Sequence, residues 1–134
     1  MIKGVVSANL EATVKLSLIA GNGDRHQIEA VVDTGFNGLL MLPLSFLTSL
    51  QCTRLGRGRA ILADGREKVF YFYGATIIWQ GRPRRVEVDG SEHFALIGMK
   101  LLEGYNLEID VINGGKLTIK RLAPARTRKK TKRR

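Results

Sequence analysis

A carboxylate directly follows two β-branched residues in the segment VVDTGFNG, residues 31–38. The valines favour a strand, and the Thr-Gly pair after the acid is typical of a turn. Asp33 is therefore expected at the end of a strand that is at least partly buried. A carboxylate there is costly unless it is hydrogen-bonded or has a partner. Two interpretations stay open at this point: a turn aspartate that accepts backbone N–H bonds, and an acid with a function.

The periodicity on both sides of this segment favours strands. Short alternating or continuous apolar runs separated by Gly, Asn, Asp and Pro predict a mainly β barrel or sandwich. Pro43 is expected to open a short helix, because its fixed φ suits the first helical position. The predicted strands are residues 14–18, 28–32, 38–42, 59–63, 68–79, 85–89, 106–111 and 116–119, and the predicted helices are residues 44–50 and 99–104.

A second informative segment, ALIGMKLL, occupies residues 95–102. An apolar pair followed by glycine and a short helix is the second motif of aspartic proteases, whose first motif is an apolar pair followed by Asp-Thr-Gly. With both motifs in this order, the sequence resembles the single-domain aspartic proteases of the retropepsin type, especially their small non-viral relatives in microbes. The resemblance covers roughly Val14 to Ile119. It implies a closed acid-protease-type β-barrel with one or two short helices.

The same resemblance implies a catalytic role for Asp33. Peptide hydrolysis by paired carboxylates needs two acids that share one proton, so that one acts as base and the other as acid. The chain contains one Asp-Thr-Gly and no Asp-Ser-Gly. The second aspartate must then come from another copy on a two-fold axis. We expect a two-fold symmetric homodimer, an aspartic endopeptidase that activates water between two Asp33 carboxylates and acts on peptides or proteins.

The resemblance also implies roles for the residues around Asp33. Thr34 is expected to hydrogen-bond across the dimer, and Gly35 to let the backbone approach its partner and the substrate closely. A flap tip that admits substrate is expected at Ala63, Asp64 and Gly65. The residues expected to form the substrate pocket are Leu39, Leu62, Leu96, Ile97 and Gly98.

The sequence departs from the viral members of that family in two places. Viral members pair an acid soon after Asp-Thr-Gly with an arginine after the second-motif glycine, and here those places hold Asn37 and Met99. The viral C-terminal strand that interleaves two chains has no clear match, since the body continues through a hairpin over residues 105–119. A catalytically inactive module of the same fold that binds peptides or proteins is therefore the second interpretation.

The net charge of +10 is concentrated at one end of the chain. Residues 120–134 carry nine Lys or Arg and no acid, which leaves 13 basic and 12 acidic residues, a net charge of +1, in residues 1–119. We expect a protease-like domain over residues 1–121 and a basic, disordered tail over residues 122–134. Non-specific contact with nucleic acid through this tail is the third interpretation.

Composition and spacing exclude several other classes. A single cysteine, Cys52, cannot form an internal disulfide, and His26, His93 and Cys52 are too scattered for a zinc site. No metal and no cofactor are expected. No apolar run approaches the roughly 20 residues of a membrane span, and the first residues lack the apolar region of a signal peptide. We expect a cytoplasmic protein without a membrane partner.

Two arginine-rich segments are predicted to be ordinary surface. Residues 54–59 carry three arginines and two glycines, which predicts a solvated loop before the flap. Residues 80–83 are predicted to be a tight turn. The sequence GRPR at residues 81–84 resembles a minor-groove AT-hook, but its position between two strands favours a hairpin tip.

Overall fold

The computed structural model describes residues 1–123, and residues 124–134 of the predicted tail lie outside them. Residues 1–123 fold into one sheet with two short helices, and the mainly β architecture predicted from the sequence is confirmed. The strands are β1 (Ile2–Val6), β2 (Ala12–Ile19), β3 (Arg25–Val32), β4 (Leu40–Pro43), β5 (Thr53–Ile61), β6 (Glu67–Trp79), β7 (Arg82–Ser91), β8 (Leu96–Ile97), β9 (Tyr105–Ile109) and β10 (Lys116–Arg121). The helices are α1 (Leu44–Ser49) and α2 (Met99–Leu102).

The order of the strands in the sheet is β5-β6-β7-β4-β8-β3-β2-β1-β10-β9. β2 also pairs with β6, through Leu18 opposite Ile77, so the sheet returns on itself. These two side chains have no exposed surface and lie in a core built mainly of leucine, isoleucine and valine. Burial of such side chains is the main favourable term in folding a β domain of this size.

The β2–β3 hairpin shows why alternation in the sequence was informative. Val14, Leu16 and Leu18 are buried, whereas Lys15 between them is exposed, because successive side chains point to opposite faces of a strand. The turn is closed by the N–H of Ala20, which donates to the carbonyl of Asp24 at 2.8 Å.

β8 is only two residues long and lies between β3 and β4. It runs parallel to β3, with Val32 opposite Ile97, and antiparallel to β4, with Leu40 opposite Ile97. Because the parallel strands β3 and β8 end at the same edge of the sheet, Asp33 and Gly98 emerge side by side. The two sequence motifs therefore meet at one place in the fold.

β5 begins earlier than predicted, and the expectation of a loop over residues 54–59 is wrong. Gly56 and Gly58 belong to β5, where they lie opposite Phe72 and Phe70 of the neighbouring strand β6. A Cβ on Gly56 would lie 2.8 Å from the ring of Phe72, and a Cβ on Gly58 would lie 2.6 Å from the ring of Phe70. These glycines make room for aromatic rings and do not mark a loop.

The turn between β6 and β7 is shorter than predicted. Its two residues, Gln80 and Gly81, both have positive φ, at 54° and 77°. Positive φ at both central residues is the geometry of tight two-residue hairpins. Trp79 lies opposite Arg82, and Pro83 already belongs to β7, so the prediction that the turn extends to Pro83 is wrong.

The two helices are short and are held by buried leucines, Leu47 in α1 and both Leu101 and Leu102 in α2. Pro43 keeps an extended conformation, with φ of −60° and ψ of 139°, and caps α1 instead of forming its first turn. In the part of the chain that the structure describes, no helix is long and apolar enough to cross a membrane.

Candidate active site

Asp33 lies immediately after β3, and its backbone is fixed by the sheet. Its N–H donates to the carbonyl of Ile97 at 2.9 Å, and its own carbonyl accepts from the N–H of Phe36 at 3.1 Å. The carboxylate oxygen Oδ1 accepts from the N–H of Gly35 at 2.8 Å. A plain turn aspartate would make this last bond too, so the bond alone does not indicate catalysis.

The loop after Asp-Thr-Gly is held by the residues that follow β8. The N–H of Gly98 donates to the carbonyl of Leu39 at 3.0 Å, and the N–H of Met99 donates to the carbonyl of Phe36 at 2.8 Å. A Cβ on Gly98 would clash with the backbone oxygen of Gly38 and would lie 2.7 Å from the ring of Phe36. Gly98 is buried and packs closely beneath the loop, and its expected place in the substrate pocket stays a prediction.

Asp33 lines a groove of about 700 Å³. Val31 and Leu96 line it as well, since they lie opposite each other on β3 and β8. Phe94, which is 63% exposed, lies at the same groove. The half-buried Asp33 therefore borders a groove lined by both apolar residues and the acids Glu11 and Glu29.

The structure divides the predicted pocket residues. Leu96 lines the Asp33 groove, whereas the side chain of Ile97 has no exposed surface and supports β8 from the core. Leu39 is half-buried and packs against the core, and Leu62 is 37% exposed in the turn between β5 and β6. Neither Leu39 nor Leu62 is among the described residues that line the groove.

The predicted flap residues form the tip of the β5–β6 hairpin. The turn is closed by the N–H of Leu62, which donates to the carbonyl of Arg66 at 2.8 Å, and Gly65 has φ of 85°. Asp64 accepts from the Arg66 guanidinium at 2.6 Å, and Ala63, Asp64 and Gly65 are all exposed. The hairpin is present where the sequence placed it, and its action as a flap stays a prediction.

A second acid, Asp89, lies near the groove and was missed by the sequence reasoning. It is half-buried on β7, opposite Met41 of β4 and Phe72 of β6, and Met41 is in turn opposite Leu96. Burial, and secondarily the charge of Glu87, raises the pKa of the Asp89 carboxyl. Asp89 could have been identified from the sequence as an acid in a predicted strand whose neighbouring strands are mainly apolar.

Asp89 borders a cavity of about 420 Å³ beneath the β5–β6 hairpin. Phe70, Met41 and Phe94 contribute apolar surface to this cavity. His93 and Phe94 also line the Asp33 groove, so the two depressions share a wall. The groove at Asp33 is thus continuous with the cavity beneath the β5–β6 hairpin along His93 and Phe94.

The remaining residues with metal-binding or nucleophilic side chains do not assemble into a second centre in residues 1–123. No group of three or more His, Cys, Asp or Glu side chains there could hold a metal ion. Burial raises the pKa of the Cys52 thiol, an effect that Arg85 partly opposes. A raised thiol pKa disfavours the thiolate, which is the nucleophilic form of cysteine.

No protein-family model and no curated protein matches the sequence, but solved structures do match the fold. A retropepsin-like aspartic protease from Rickettsia conorii is 17% identical, with a TM-score of 0.52 over 90% of this chain and 92% of that one. The foamy viral protease-reverse transcriptase in complex with an RNA/DNA hybrid is 19% identical, with a TM-score of 0.50 over 74% of this chain. The match spans only 13% of that viral chain. The protease of EIAV in complex with the inhibitor HBY-793 is 18% identical, with a TM-score of 0.49 over 73% of this chain and 92% of that one.

The chain therefore has the fold of the retropepsin-like aspartic proteases, as the resemblance of its two motifs implied.

The close packing at Gly98 predicts that Gly98→Ala is strongly destabilising. The added methyl group must displace backbone of residues 36–38, which should cost more than about 2 kcal/mol of unfolding free energy. Gly21→Ala is the matched control, because its Cβ would meet only the Gln51 side chain, at 3.6 Å. Chemical denaturation of both variants measures the difference. Equal stability of the two variants would contradict the packing role of Gly98.

The raised pKa of Asp89 predicts a pH-dependent cost in stability. In the folded protein the pKa of the Asp89 carboxyl is raised above its ordinary value of 3.8, so the carboxyl keeps its proton to a higher pH than in the unfolded chain. The unfolding free energy therefore falls as pH rises from that value through the folded pKa. Asp89→Asn, which stays neutral, should raise the melting temperature at pH 7 and have a smaller effect near pH 3.

The control for this measurement is Asp110→Asn, since Asp110 is exposed. We expect the melting temperature of this variant to follow that of the wild type at both pH values. If Asp89→Asn raises the melting temperature equally at both pH values, the stability cost does not come from ionisation of Asp89.

Proposed function

We propose that the protein is an aspartic endopeptidase that hydrolyses peptide bonds as a homodimer, with Asp33 as its catalytic residue. The observation that carries this proposal is the position of the Asp-Thr-Gly turn on a retropepsin fold. The carboxylate of Asp33 lies at the end of β3 and lines a groove with Leu96 and Val31. We assign the activity to the domain of residues 1–121.

The chemistry follows from two carboxylates that share one proton. The ionised Asp33 of one protomer takes a proton from water as the water oxygen attacks the carbonyl carbon of the peptide. The protonated Asp33 of the partner subunit donates its proton to the carbonyl oxygen. When the resulting gem-diol intermediate collapses, the carboxyl that took the water proton gives it to the leaving nitrogen and the C–N bond breaks. The ionised Asp33 of the partner subunit takes a proton from one hydroxyl of the intermediate as the new carboxyl group forms, which restores the shared proton. Because the proton belongs to the pair, the two acids titrate together.

The surface around Asp33 supports a dimer at this end of the molecule. Thr34 and Gly35 are exposed in the single chain, and Met99 nearby is 45% exposed. We propose that a second copy covers them and that Thr34 hydrogen-bonds across the two-fold axis. The β2–β6 pairing supports a closed barrel in each protomer, which would present the two turns on rigid bodies.

The hairpin of β5 and β6 is the proposed flap, with Ala63, Asp64 and Gly65 at its tip. The cavity beneath it supports this role, because substrate lying over Asp33 would be covered from that side. Leu96 and Val31 are the apolar groups next to Asp33, so we propose that apolar side chains flank the cleaved bond. Leu39 and Leu62 are the further pocket residues of this proposal.

Asp33→Asn tests the catalytic role. The amide can still accept the N–H bond from Gly35, so the turn should persist, but it cannot act as a base. Cleavage of a fluorogenic peptide mixture, measured at several pH values, should fall by about 10²–10⁴-fold. Asp110→Asn is the matched control and should leave the rate unchanged. Equal activity in both variants would rule out Asp33 as the catalytic residue, and binding of peptide without turnover would favour the inactive module.

A mixing experiment tests whether each site needs two chains. Wild type and Asp33→Asn are combined at constant total concentration and allowed to exchange protomers. If one Asp33 must come from each chain, mixed dimers are inactive and the rate falls as the square of the wild-type fraction. A rate that falls in direct proportion to that fraction would show that each chain works alone.

A further inference from the structure

A groove of about 560 Å³ gathers three arginines at a place that shares no lining residue with the Asp33 groove. Arg82 and Arg84 come from the start of β7, and Arg121 from the end of β10. Trp79 and Tyr105 form part of its wall. None of the described residues that line this arginine groove is acidic.

The fold brings these residues together from two hairpins. Arg121 lies directly opposite Tyr105, with its guanidinium carbon 5.9 Å from the centre of the tyrosine ring. That ring meets the indole of Trp79 edge to face, at 5.8 Å between centres and 80° between planes. Trp79 is in turn opposite Arg82. The arginines of β7 and the arginine of β10 thus line the same groove as an aromatic pair.

The three arginines lack acidic partners within the described part of the chain. The ion pairs of residues 1–123 engage Arg59, Arg66, His93 and Lys120, and none of them involves the arginine groove. Like charges held close together repel one another, and an anion bound between them would remove that cost. A guanidinium group can donate two parallel hydrogen bonds to two oxygens of one phosphate. Phosphate is therefore an anion that suits this groove.

Two residues that line the arginine groove carry buried side-chain donors without acceptors in residues 1–123. These are the indole N–H of Trp79, a residue only 4% exposed, and the side-chain amide N–H₂ of Gln80. Buried donors are nearly always satisfied in native proteins, so each exception calls for an explanation. These donor atoms have almost no exposed surface, so the contact with a ligand is assigned to the three arginine side chains.

We propose that the arginine groove binds the phosphodiester backbone of nucleic acid. A polymer fits better than a single phosphate, because the three arginines come from two separate hairpins and each can contact a different phosphate. Phosphates recur at regular short spacing along a strand, so one strand can contact all three guanidinium groups together. The proposal does not depend on peptidase activity.

The test compares two triple variants of the full chain that remove the same charge. R82Q/R84Q/R121Q neutralises the arginine groove, and R25Q/R57Q/R59Q neutralises three exposed arginines outside it. Fluorescence anisotropy with short single-stranded oligo-dT and oligo-U is measured over a range of salt. We expect the groove variant to bind about 10-fold more weakly, with a salt slope lower by about 2 because three phosphate contacts are lost. The control should change affinity by less than about 3-fold.

Each other result counts against the proposal. Equal loss in both variants would mean that only net charge matters, and absence of binding by the wild type would overturn it outright. If poly-glutamate competes as well as unlabelled oligonucleotide, the groove binds any polyanion and the assignment to nucleic acid is wrong. Similar affinity for oligo-dT and oligo-U is expected, since both present the same phosphates.

A lysine variant keeps the test decisive if the glutamine variant does not fold. R82K/R84K/R121K retains the charge but loses the paired guanidinium contacts. We expect it to bind more weakly than the wild type with an unchanged salt slope. Affinity identical to the wild type would refute the arginine contacts with phosphate.

Discussion

The insertion of β8 between β3 and β4 is the constraint on which the candidate site depends. On one side, the N–H of Asp33 donates to the carbonyl of Ile97, and on the other the N–H of Gly98 donates to the carbonyl of Leu39. These bonds tie the turn after β3, the loop before β4 and the start of α2 to a two-residue strand. The absence of a Cβ at Gly98 lets the loop lie directly on that strand. The place of the carboxylate is therefore set by the sheet and not by its own turn.

The sequence predicted the parts of the structure whose causes are local. Asp-Thr-Gly, Leu-Ile-Gly and the hairpin turn at Asp64-Gly65 each depend on a few adjacent residues, and the structure places them as expected. β1 was not predicted, because most of it pairs with β10, with Ile2 opposite Ile119 at the far end of the described chain, and only Val5 and Val6 pair with the nearby β2. Gly56 and Gly58 misled for the same reason, since the rings that cover them come from another strand. Leu96 and Ile97 could have been separated from sequence, because neighbours on a strand face opposite sides.

Composition directed attention to the end of the chain, and the fold adds information that a sum of charges cannot contain. Residues 1–119 have a net charge of +1, yet the β6–β7 hairpin places Arg82 and Arg84 of that stretch in one groove with Arg121, which lies just beyond it. Acidic residues that balance Arg82 and Arg84 in the count, such as Asp33 and Asp89, line different depressions. Near neutrality of a domain therefore does not exclude a strongly basic surface on it.

The departures from the viral pattern at Asn37 and Met99 take on a defined meaning in this fold. The backbone N–H of Met99 donates to the carbonyl of Phe36 at 2.8 Å, and that of Lys100 donates to the carbonyl of Gly38 at 3.2 Å. Backbone bonds join the loop to α2 without using the side chains of Asn37 and Met99, which are both exposed. An ion pair between these positions is thus not required to hold the Asp33 turn in one chain. Its absence bears on how two chains would meet, since exposed side chains beside Thr34 are those that a second copy would contact.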